Sequence, residues 1–159
     1  MLNVTFITVG NLKESYLRDA TGEYIKRMSA YCRPNIVELK EVKVPDSPSK
    51  SEIDAALSAE AERILAAIPQ RAYKIALCVE GKQLSSEELA AAIDGASMEH
   101  SDICFIIGSS HGLAPEVKSA CNLRLSVSKL TFPHQLMRVI LAEAVYRAFT
   151  IIKGTKYHK

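Results

Sequence analysis

The chain has 159 residues, of which 48% are hydrophobic and 24% are charged, and its formal net charge is +2 at pH 7. This length suits one domain, here residues 1–159, with a substantial core, and the composition is that of a globular protein rather than a disordered chain. The small net charge argues neither for nor against a nucleic-acid partner.

Strands and helices are predicted to alternate along the first half of the chain. Residues 2–9 alternate apolar and polar side chains, which predicts a strand, and residues 12–31 carry apolar side chains at helical spacing. A second strand is predicted over residues 36–44, and we expect it at the sheet edge because its apolar residues alternate with charged ones. Ser49 and Glu52 have the spacing of a capping box, which predicts the start of a helix.

The second half continues the alternation. Residues 73–79 form an apolar run typical of an interior parallel strand, and we expect residues 80–82 to turn out of it. Ser85 and Glu88 form a second predicted capping box. The remaining predicted elements are a strand over 103–107, a short helix over 115–120, a strand over 123–127 and a long helix from Pro133 to Ile152. This alternation predicts an α/β fold with helices on both faces of a parallel sheet.

The final helix is apolar on nearly all sides. Between residues 136 and 152 its polar side chains are Arg138, Glu143, Arg147 and Thr150. A helix of this kind is buried on more than one side, and its three charges argue against a membrane span. Because the sheet of a small domain covers a helix on one side, we expect an identical chain to cover the other side in a two-fold homodimer.

Cysteine and histidine spacing gives no sign of a metal site. The four cysteines are far apart, no C-x-x-C pair occurs, and the four histidines lack metal-ligand spacing. We therefore expect reduced thiols and no bound metal. The first residues lead directly into a strand without the basic and apolar segments of a signal peptide, so we expect a cytoplasmic protein.

Three predicted loops lie at the carboxyl ends of strands, where parallel sheets bind ligands. They follow Leu77, Ile107 and Leu125, and the glycines in the first two are Gly81, Gly108 and Gly112. The simplest interpretation is that these glycines are turn residues, but they also let a backbone approach a ligand closely. Dinucleotide and P-loop motifs are absent. Adjacent loops of this kind favour a single pocket.

Residues 108–112 match the G-x-S-x-G pattern of α/β-hydrolases, with Ser110 as the nucleophile. A catalytic triad would need an acid and then a histidine further along the chain. The only later acidic side chains are Glu116, on the very next predicted helix, and Glu143, which precedes only His158. A serine hydrolase is therefore kept as an alternative, although neither acidic residue is placed as a triad requires.

The C-terminal tail is a second candidate site. Residues 153–159 combine cations with Tyr157 and His158, a mixture that suits RNA phosphates and bases. The simpler interpretation is a solvated, fraying end. On the preceding helix, Glu143 and Arg147 are spaced to pair with each other, and Arg138 could equally form an ion pair at a dimer interface.

Short segments spread over the entire length of this chain match a known family. They are Val9-Gly10 with Leu12-Lys13, Leu77 with Gly81-Lys82, Ile107-Gly108 with Gly112-Leu113, Leu125 to His134, Arg138-Val139, Tyr146-Arg147-Ala148 and Tyr157-His158. The chain thereby resembles the bacterial large-subunit ribosomal RNA methyltransferase H family of the SPOUT class, whose members methylate N3 of a pseudouridine. The family usually has a second glycine where this chain has Ser109.

The resemblance implies a SPOUT fold with a C-terminal trefoil knot, a homodimer and S-adenosylmethionine as the methyl donor. General topology rules would have discouraged the knot. Carried over by position, the residues implied to hold the cofactor are Leu77, Gly108, Val127, Ser128, Lys129, Leu130, Thr131 and Phe132. Backbone groups of the loop from Val127 to Phe132 would bind the adenine and the methionine portion.

The implied substrate is 23S ribosomal RNA in the assembled ribosome, with no metal and no membrane involved. The polar residues expected near the pocket are His134, Arg138, Glu143, Arg147, Tyr157, His158 and Lys159. The sequence does not indicate which of them assists deprotonation of N3. A non-catalytic ribosome-binding factor is the remaining alternative.

Overall fold

The computed structural model describes residues 1–159 and contains five strands and five helices. In chain order they are β1 (Asn3–Val9), α1 (Ser15–Met28), β2 (Arg33–Leu39), α2 (Lys50–Ala67), β3 (Tyr73–Gln83), α3 (Ser86–Ser97), β4 (Asp102–Ile107), α4 (Pro115–Ala120), β5 (Leu123–Ser126) and α5 (His134–Ile152). The strands form one sheet in the order β2-β1-β4-β3-β5, and every pairing is parallel. The predicted α/β class and the edge position of the second strand are confirmed.

Side chains that alternate along the strands build a core on each face of the sheet. On β1, Val4 and Phe6 pack with residues of α1, α3 and α5, whereas Ile7 and Val9 pack with residues of α2 and α4. Phe6 stacks on Phe105 of β4 with ring centroids 5.5 Å apart. The two-fold side-chain period of a strand therefore explains why helices cover both faces.

Both predicted capping boxes are present. The Ser49 hydroxyl accepts the Glu52 backbone N–H, and the Glu52 carboxylate accepts the Ser49 N–H in return. Ser85 and Glu88 form the same reciprocal pair at the start of α3. Caps of this type stabilise a helix by about 1 kcal/mol, so these two starts are fixed by local chemistry.

The predicted bounds of β2 were wrong. The strand runs from Arg33 to Leu39, in register with the seven residues of β1, so its partner sets its length. Residues 40–44 alternate like a strand but have no pairing partner there. Instead the Val42 N–H donates to the Glu60 carboxylate of α2 at 3.0 Å, which ties this segment to the helix.

The predicted turn after residue 79 was also wrong, because β3 continues to Gln83. Leu125 of β5 pairs with both Leu77 and Lys82, so residues 78–81 bulge away and return to the ladder. A Cβ on Gly81 would lie 2.7 Å from the backbone carbon of Leu125. Gly81 therefore allows the backbones of β3 and β5 to approach each other. This close contact explains the glycine without the ligand contact that we considered from the sequence.

The long helix α5 lies between α1 and α3 on one face of the sheet, in contact with both. Leu136 is its only exposed residue, at 37%, and the others are buried or half-buried within the single chain. Because one chain already buries this helix on nearly all sides, its apolar character does not by itself require a second chain, contrary to our argument from the sequence. None of the helices is both long enough and apolar enough to cross a bilayer.

Candidate cofactor and substrate site

A cavity of about 340 Å³ opens where β3, β4 and β5 end and α5 begins. Seven of the eight residues expected to hold a cofactor line it: Leu77, Gly108, Val127, Ser128, Leu130, Thr131 and Phe132. Lys129 is exposed and does not line it. Parallel strands thus bring residues far apart in sequence to one edge of the sheet, as the strand-end rule predicts.

The loop from Val127 to Phe132 offers backbone hydrogen-bonding groups to the cavity. The Ser128 hydroxyl accepts the Leu130 N–H at 3.0 Å, and the Ser126 hydroxyl donates to the Ser128 carbonyl at 3.2 Å, so two serines hold the shape of the loop. No residue from 127 to 132 makes a backbone–backbone hydrogen bond outside the regular elements. Apart from the Ser128 carbonyl and the Leu130 N–H, the backbone N–H and C=O groups of this loop are therefore free to bind a ligand or solvent.

A second loop, residues 108–113, forms the opposite wall. A Cβ on Gly108 would collide with the carbonyl group of Gly112, so this glycine is needed for the loop itself rather than for contact with a ligand. Gly112 has φ +88, a conformation that favours glycine, and its N–H donates to the Ser109 carbonyl at 2.9 Å. Ser109 is buried and its φ is not positive, so a serine fits where the family usually has glycine.

The structure gives the serine hydrolase no support. Ser110 is exposed, its φ is not positive, and it makes no hydrogen bond to a histidine or an acidic residue. A nucleophile elbow places its serine on a strained turn beside such partners. Residues 108–112 therefore match G-x-S-x-G without forming a nucleophile elbow, and they line the cavity instead.

Two charged residues at the cavity were not anticipated. Lys118 of α4 lies with its Nζ 2.5 Å from the Glu80 carboxylate, and this hydrogen bond lowers the pKa of Glu80. They are 38 residues apart in sequence, so no local spacing pointed to the pair. Cys78 also lines the cavity, and burial raises the pKa of its thiol. No cluster of three or more histidine, cysteine or acidic side chains is placed to hold a metal.

His134 is the one predicted substrate residue that lines this cavity. It is the first residue of α5 and is half-buried. Burial lowers its pKa below the ordinary 6.5, and the nearby Arg138 cation lowers it further. The imidazole is consequently neutral at pH 7 and able to accept a proton or a hydrogen bond.

Arg138 lies deeper, at the ends of β1 and β2. Its Nη1 is 3.1 Å from the Glu38 carboxylate, and its Nη2 donates to the carbonyls of Val9 at 3.0 Å and Gly10 at 2.8 Å. Burial lowers the pKa of this guanidinium, while Glu38 opposes that shift. The suggested dimer-interface ion pair of Arg138 is therefore corrected to an ion pair within one chain.

The C-terminal tail folds back onto α5 instead of fraying. One oxygen of Glu143 accepts hydrogen bonds from Arg147 Nε at 2.9 Å, Arg147 Nη2 at 2.6 Å and Tyr157 Oη at 3.0 Å. The Arg147 guanidinium also lies over the Tyr157 ring, 4.7 Å from its centroid. Burial and the bond to Glu143 raise the pKa of Tyr157 to about 12. The predicted pairing of Glu143 with Arg147 is confirmed.

His158 completes this tail cluster, which we define as Glu143, Arg147, Tyr157 and His158. Its Nδ1 lies 3.2 Å from Arg147 Nη1, and its Nε2 lies 2.7 Å from the Glu87 carboxylate of α3. Lys159 is exposed. At 1.5 Å per helical residue, Arg147 lies about 20 Å along α5 from His134. The predicted substrate residues are thus split between the cavity, the Arg138 site and the tail cluster, and one chain does not bring them together.

Comparisons with known proteins agree with this architecture. The family described as "Predicted SPOUT methyltransferase" matches residues 2–158. Two solved structures share the fold at a TM-score of 0.52: a probable methylase family protein from Haemophilus influenzae Rd KW20, 15% identical over 99% of this chain and 70% of that one, and a tRNA (m1G37) methyltransferase from Aquifex aeolicus, 13% identical over 91% and 69%.

Curated relatives are far closer in sequence. The ribosomal RNA large subunit methyltransferase H of Streptococcus thermophilus (strain ATCC BAA-491 / LMD-9) is 50% identical over 99% of this chain and 100% of its own length. The proteins of that name from Bacillus pumilus (strain SAFR-032) and Clostridium acetobutylicum are 48% and 47% identical with the same coverage. The fold, the strand-end cavity and these identities together establish that the chain belongs to the ribosomal RNA large subunit methyltransferase H family of SPOUT methyltransferases.

Proposed function

We propose that this protein transfers a methyl group from S-adenosylmethionine to N3 of a pseudouridine in 23S ribosomal RNA, on the assembled ribosome. The observation that carries the proposal is the cavity at the strand ends, where seven residues matched to the family's cofactor site meet. Relatives about 50% identical over their full length are named for an activity on large-subunit ribosomal RNA. The geometry adds to the sequence relationship by placing the matched residues around one cavity.

The residues of the cavity fit the proposed cofactor. A volume of about 340 Å³ lies within the range of small-molecule sites. Apolar side chains such as Leu77, Ile107 and Leu125 would contact the adenine, while free backbone groups of residues 127–132 would recognise its edge and the amino-acid portion. When bound, S-adenosylmethionine supplies a strongly electrophilic methyl group, so positioning is the main task of the protein.

His134 is the residue that we assign to proton acceptance. N3 of the pseudouridine must lose its proton to become a good nucleophile, and a neutral imidazole at the cavity wall is a suitable acceptor at pH 7. The proton on N3 would pass to a ring nitrogen of His134 as the new N–CH₃ bond forms. S-adenosylmethionine, held by the loop of residues 127–132, would supply the methyl group in that step and be left as S-adenosylhomocysteine.

The knot belongs to the same proposal. Leu125 of β5 pairs with residues on both sides of the bulge at residues 78–81, so β5 lies beside that bulge. The chain then runs through the cavity loop into α5. In a trefoil path, the segment that leads into α5 would pass through the loop of chain that includes this bulge.

A homodimer would cover apolar side chains that one chain leaves in solvent. Val79 and Leu130, both at the rim of the cavity, are 78% and 71% exposed, and Leu136 at the start of α5 is also exposed. Exposed apolar patches of this kind mark interaction sites. A two-fold axis near the cavity would pair this patch with itself.

The dimer would also explain the separation of the tail cluster from the cavity. Two α5 helices packed antiparallel place the C-terminal end of one beside the N-terminal end of the other. The tail of one chain, with Tyr157, His158 and Lys159, would then reach the cavity of its partner. The stacking ring and the cations of the tail suit the ribosomal RNA that enters there.

The experiment is methyl transfer to ribosomes from cells that lack this activity. Purified protein, tritiated S-adenosylmethionine and intact ribosomes should yield label in 23S RNA, recovered as N3-methylpseudouridine by nucleoside mass spectrometry. Protein-free RNA is the comparison substrate and should be a poor acceptor. Ribosome binding without methyl transfer would instead identify a non-catalytic ribosome factor.

A further inference from the structure

The C-terminal tail turns back at the end of α5 through a hydrogen-bonded cap. The Thr155 N–H donates to the Thr150 carbonyl at 2.9 Å, and the Gly154 N–H donates to the Ile151 carbonyl at 3.0 Å. Gly154 has φ +68, a left-handed conformation that suits glycine and completes this type of helix end. The backbone therefore directs residues 155–159 back along the helix that they follow.

Two aromatic rings and one ion pair hold the next part of the tail against α5. The Tyr157 ring meets the Tyr146 ring edge-on, with centroids 4.7 Å apart, and the Tyr157 hydroxyl donates to Glu143. Arg147 donates to the same Glu143 oxygen through Nε and Nη2, so these two nitrogens are already used. The Nη1 nitrogen of Arg147 remains, and it contacts His158.

The hydrogen bonds of His158 specify which of its ring nitrogens carries the proton. A guanidinium only donates, so Nδ1 must be the acceptor at its 3.2 Å contact with Arg147 Nη1. A neutral imidazole has one N–H, which is therefore on Nε2 and donates to the Glu87 carboxylate at 2.7 Å. Both nitrogens of His158 are thus occupied by other side chains of the protein.

Glu87 accepts the only hydrogen bond that joins the tail to a helix other than α5. It lies in the first turn of α3 with its side chain 63% exposed, and the bond from His158 lowers its pKa. We propose that Glu87 is a positioning residue for methyl transfer. It fixes the ring of His158 and thereby holds the tail in the orientation in which the tail meets the ribosomal RNA.

This inference rests on the proposed methyl transfer and gives the tail residues different parts in it. His158 has no nitrogen free to accept the N3 proton, which agrees with the assignment of that step to His134. Lys159 follows the anchored ring and is exposed, so its ammonium group is available to an RNA phosphate. A tail that Glu87 already holds in place loses less conformational freedom when the RNA binds, which strengthens binding.

The first test observes the contact in the free full-length protein, so it does not depend on methyl transfer. Nitrogen and proton NMR spectra of the imidazole groups should show His158 with Nδ1 unprotonated and a slowly exchanging Nε2–H. Glu87→Gln should keep this Nε2–H signal because its amide oxygen also accepts the bond, whereas Glu87→Ala should lose the signal through exchange with water. A protonated Nδ1, or the same signal in Glu87→Ala, would overturn the proposal.

The second test measures methyl transfer to ribosomes by the same variants. Glu87→Ala should raise the KM for ribosomes about five-fold or more, while kcat and the affinity for S-adenosylmethionine change by less than about two-fold. Glu87→Gln should restore most of the loss. Asp94→Ala is the matched control, because Asp94 is an exposed acid on the same helix whose side chain makes no hydrogen bond to the tail.

An unchanged KM in Glu87→Ala, or an equal rise in Asp94→Ala, would show that Glu87 does not position the tail. If the unmodified protein binds ribosomes without methylating them, the proposed function fails, and the dissociation constant for ribosomes takes the place of KM in the same comparison. The NMR signal of His158 judges the contact with Glu87 in either case.

Discussion

His134 joins the cofactor cavity to the first turn of α5, and its ionisation has a direction that can be tested. Burial and Arg138 lower its pKa below 6.5, so the neutral form dominates at pH 7 and is lost only in more acidic solution. If the neutral ring accepts the N3 proton, methyl transfer falls as the pH drops through this lowered pKa. The acidic limb of the rate profile should therefore lie below pH 6.5.

Replacement of His134 by glutamine should lower the methyl-transfer rate by about 10²-fold or more, the usual contribution of a proton acceptor. Glutamine keeps a hydrogen-bonding group but does not titrate. The residual rate of the variant should therefore no longer fall as the pH drops below 6.5. Affinity for S-adenosylmethionine, measured by calorimetry, should change little. If the variant keeps both the methyl-transfer rate and the acidic limb of its pH–rate profile, His134 is not the proton acceptor.

Cys78 provides a chemical reporter of cofactor binding. It lines the cavity, whereas Cys121 is also half-buried but lies outside it. Burial raises the pKa of both thiols, that of Cys121 to about 11, so both react slowly with N-ethylmaleimide. S-adenosylhomocysteine at ten times its dissociation constant should slow labelling of Cys78 roughly ten-fold by occupying the cavity. Peptide mass spectrometry should find Cys121 unaffected, and unchanged labelling of Cys78 would place the cofactor elsewhere.

Among the elements, the close pairing of β3 with β5 requires a glycine at position 81. A methyl group on Gly81 would lie 2.7 to 2.8 Å from backbone atoms of Arg124, Leu125 and Ser126, and a backbone has little room to yield. Gly81→Ala should therefore lower the free energy of unfolding by about 1–3 kcal/mol, the usual cost of overpacking, or more. Thermal unfolding should show a drop of roughly 3–10 °C.

Gly95→Ala is the matched control, since Gly95 lies in the helix α3 with no atom within 4 Å of the added carbon. Alanine is the better helix former, so this variant should match or slightly exceed the unmodified protein. If the two variants unfold at the same temperature, the tight approach of β5 to Gly81 is not a constraint on the fold.

Elements set by local chemistry were predictable, and elements set by distant partners were not. The capping boxes at Ser49 and Ser85 fixed two helix starts because each involves residues three apart. The end of β2 depends on pairing with β1, and the continuation of β3 past residue 79 depends on β5. Alternation alone extended the predicted strand to residue 44, whereas the backbone N–H of Val42 in this segment binds the Glu60 carboxylate instead.

At the scale of the whole molecule, the sequence predicted which residues lie at the strand ends but not how far apart the functional groups would be. The cavity set was predictable because parallel strands place their carboxyl ends together. In the tail cluster only the pairing of Glu143 with Arg147 was predictable, since the contacts of Tyr157 and His158 with that pair depend on how the tail folds back.

Because the tail lies far from the cavity within one chain, we propose that each methyl-transfer site is built from two chains. A mixed dimer tests it most directly. One chain lacks residues 157–159, and the other carries Gly108→Val, which distorts the cavity wall at Gly112. Each homodimer should be inactive on ribosomes, which is the control for both lesions.

In the mixed dimer, one intact cavity faces one intact tail only if the tail acts on the partner chain. We expect purified heterodimer to restore about half of the unmodified rate of N3-methylpseudouridine formation, because one of two symmetric sites is complete. Truncation should leave S-adenosylmethionine affinity unchanged, which separates a substrate role of the tail from a structural one. An inactive heterodimer whose truncated chain still binds cofactor would contradict the claim.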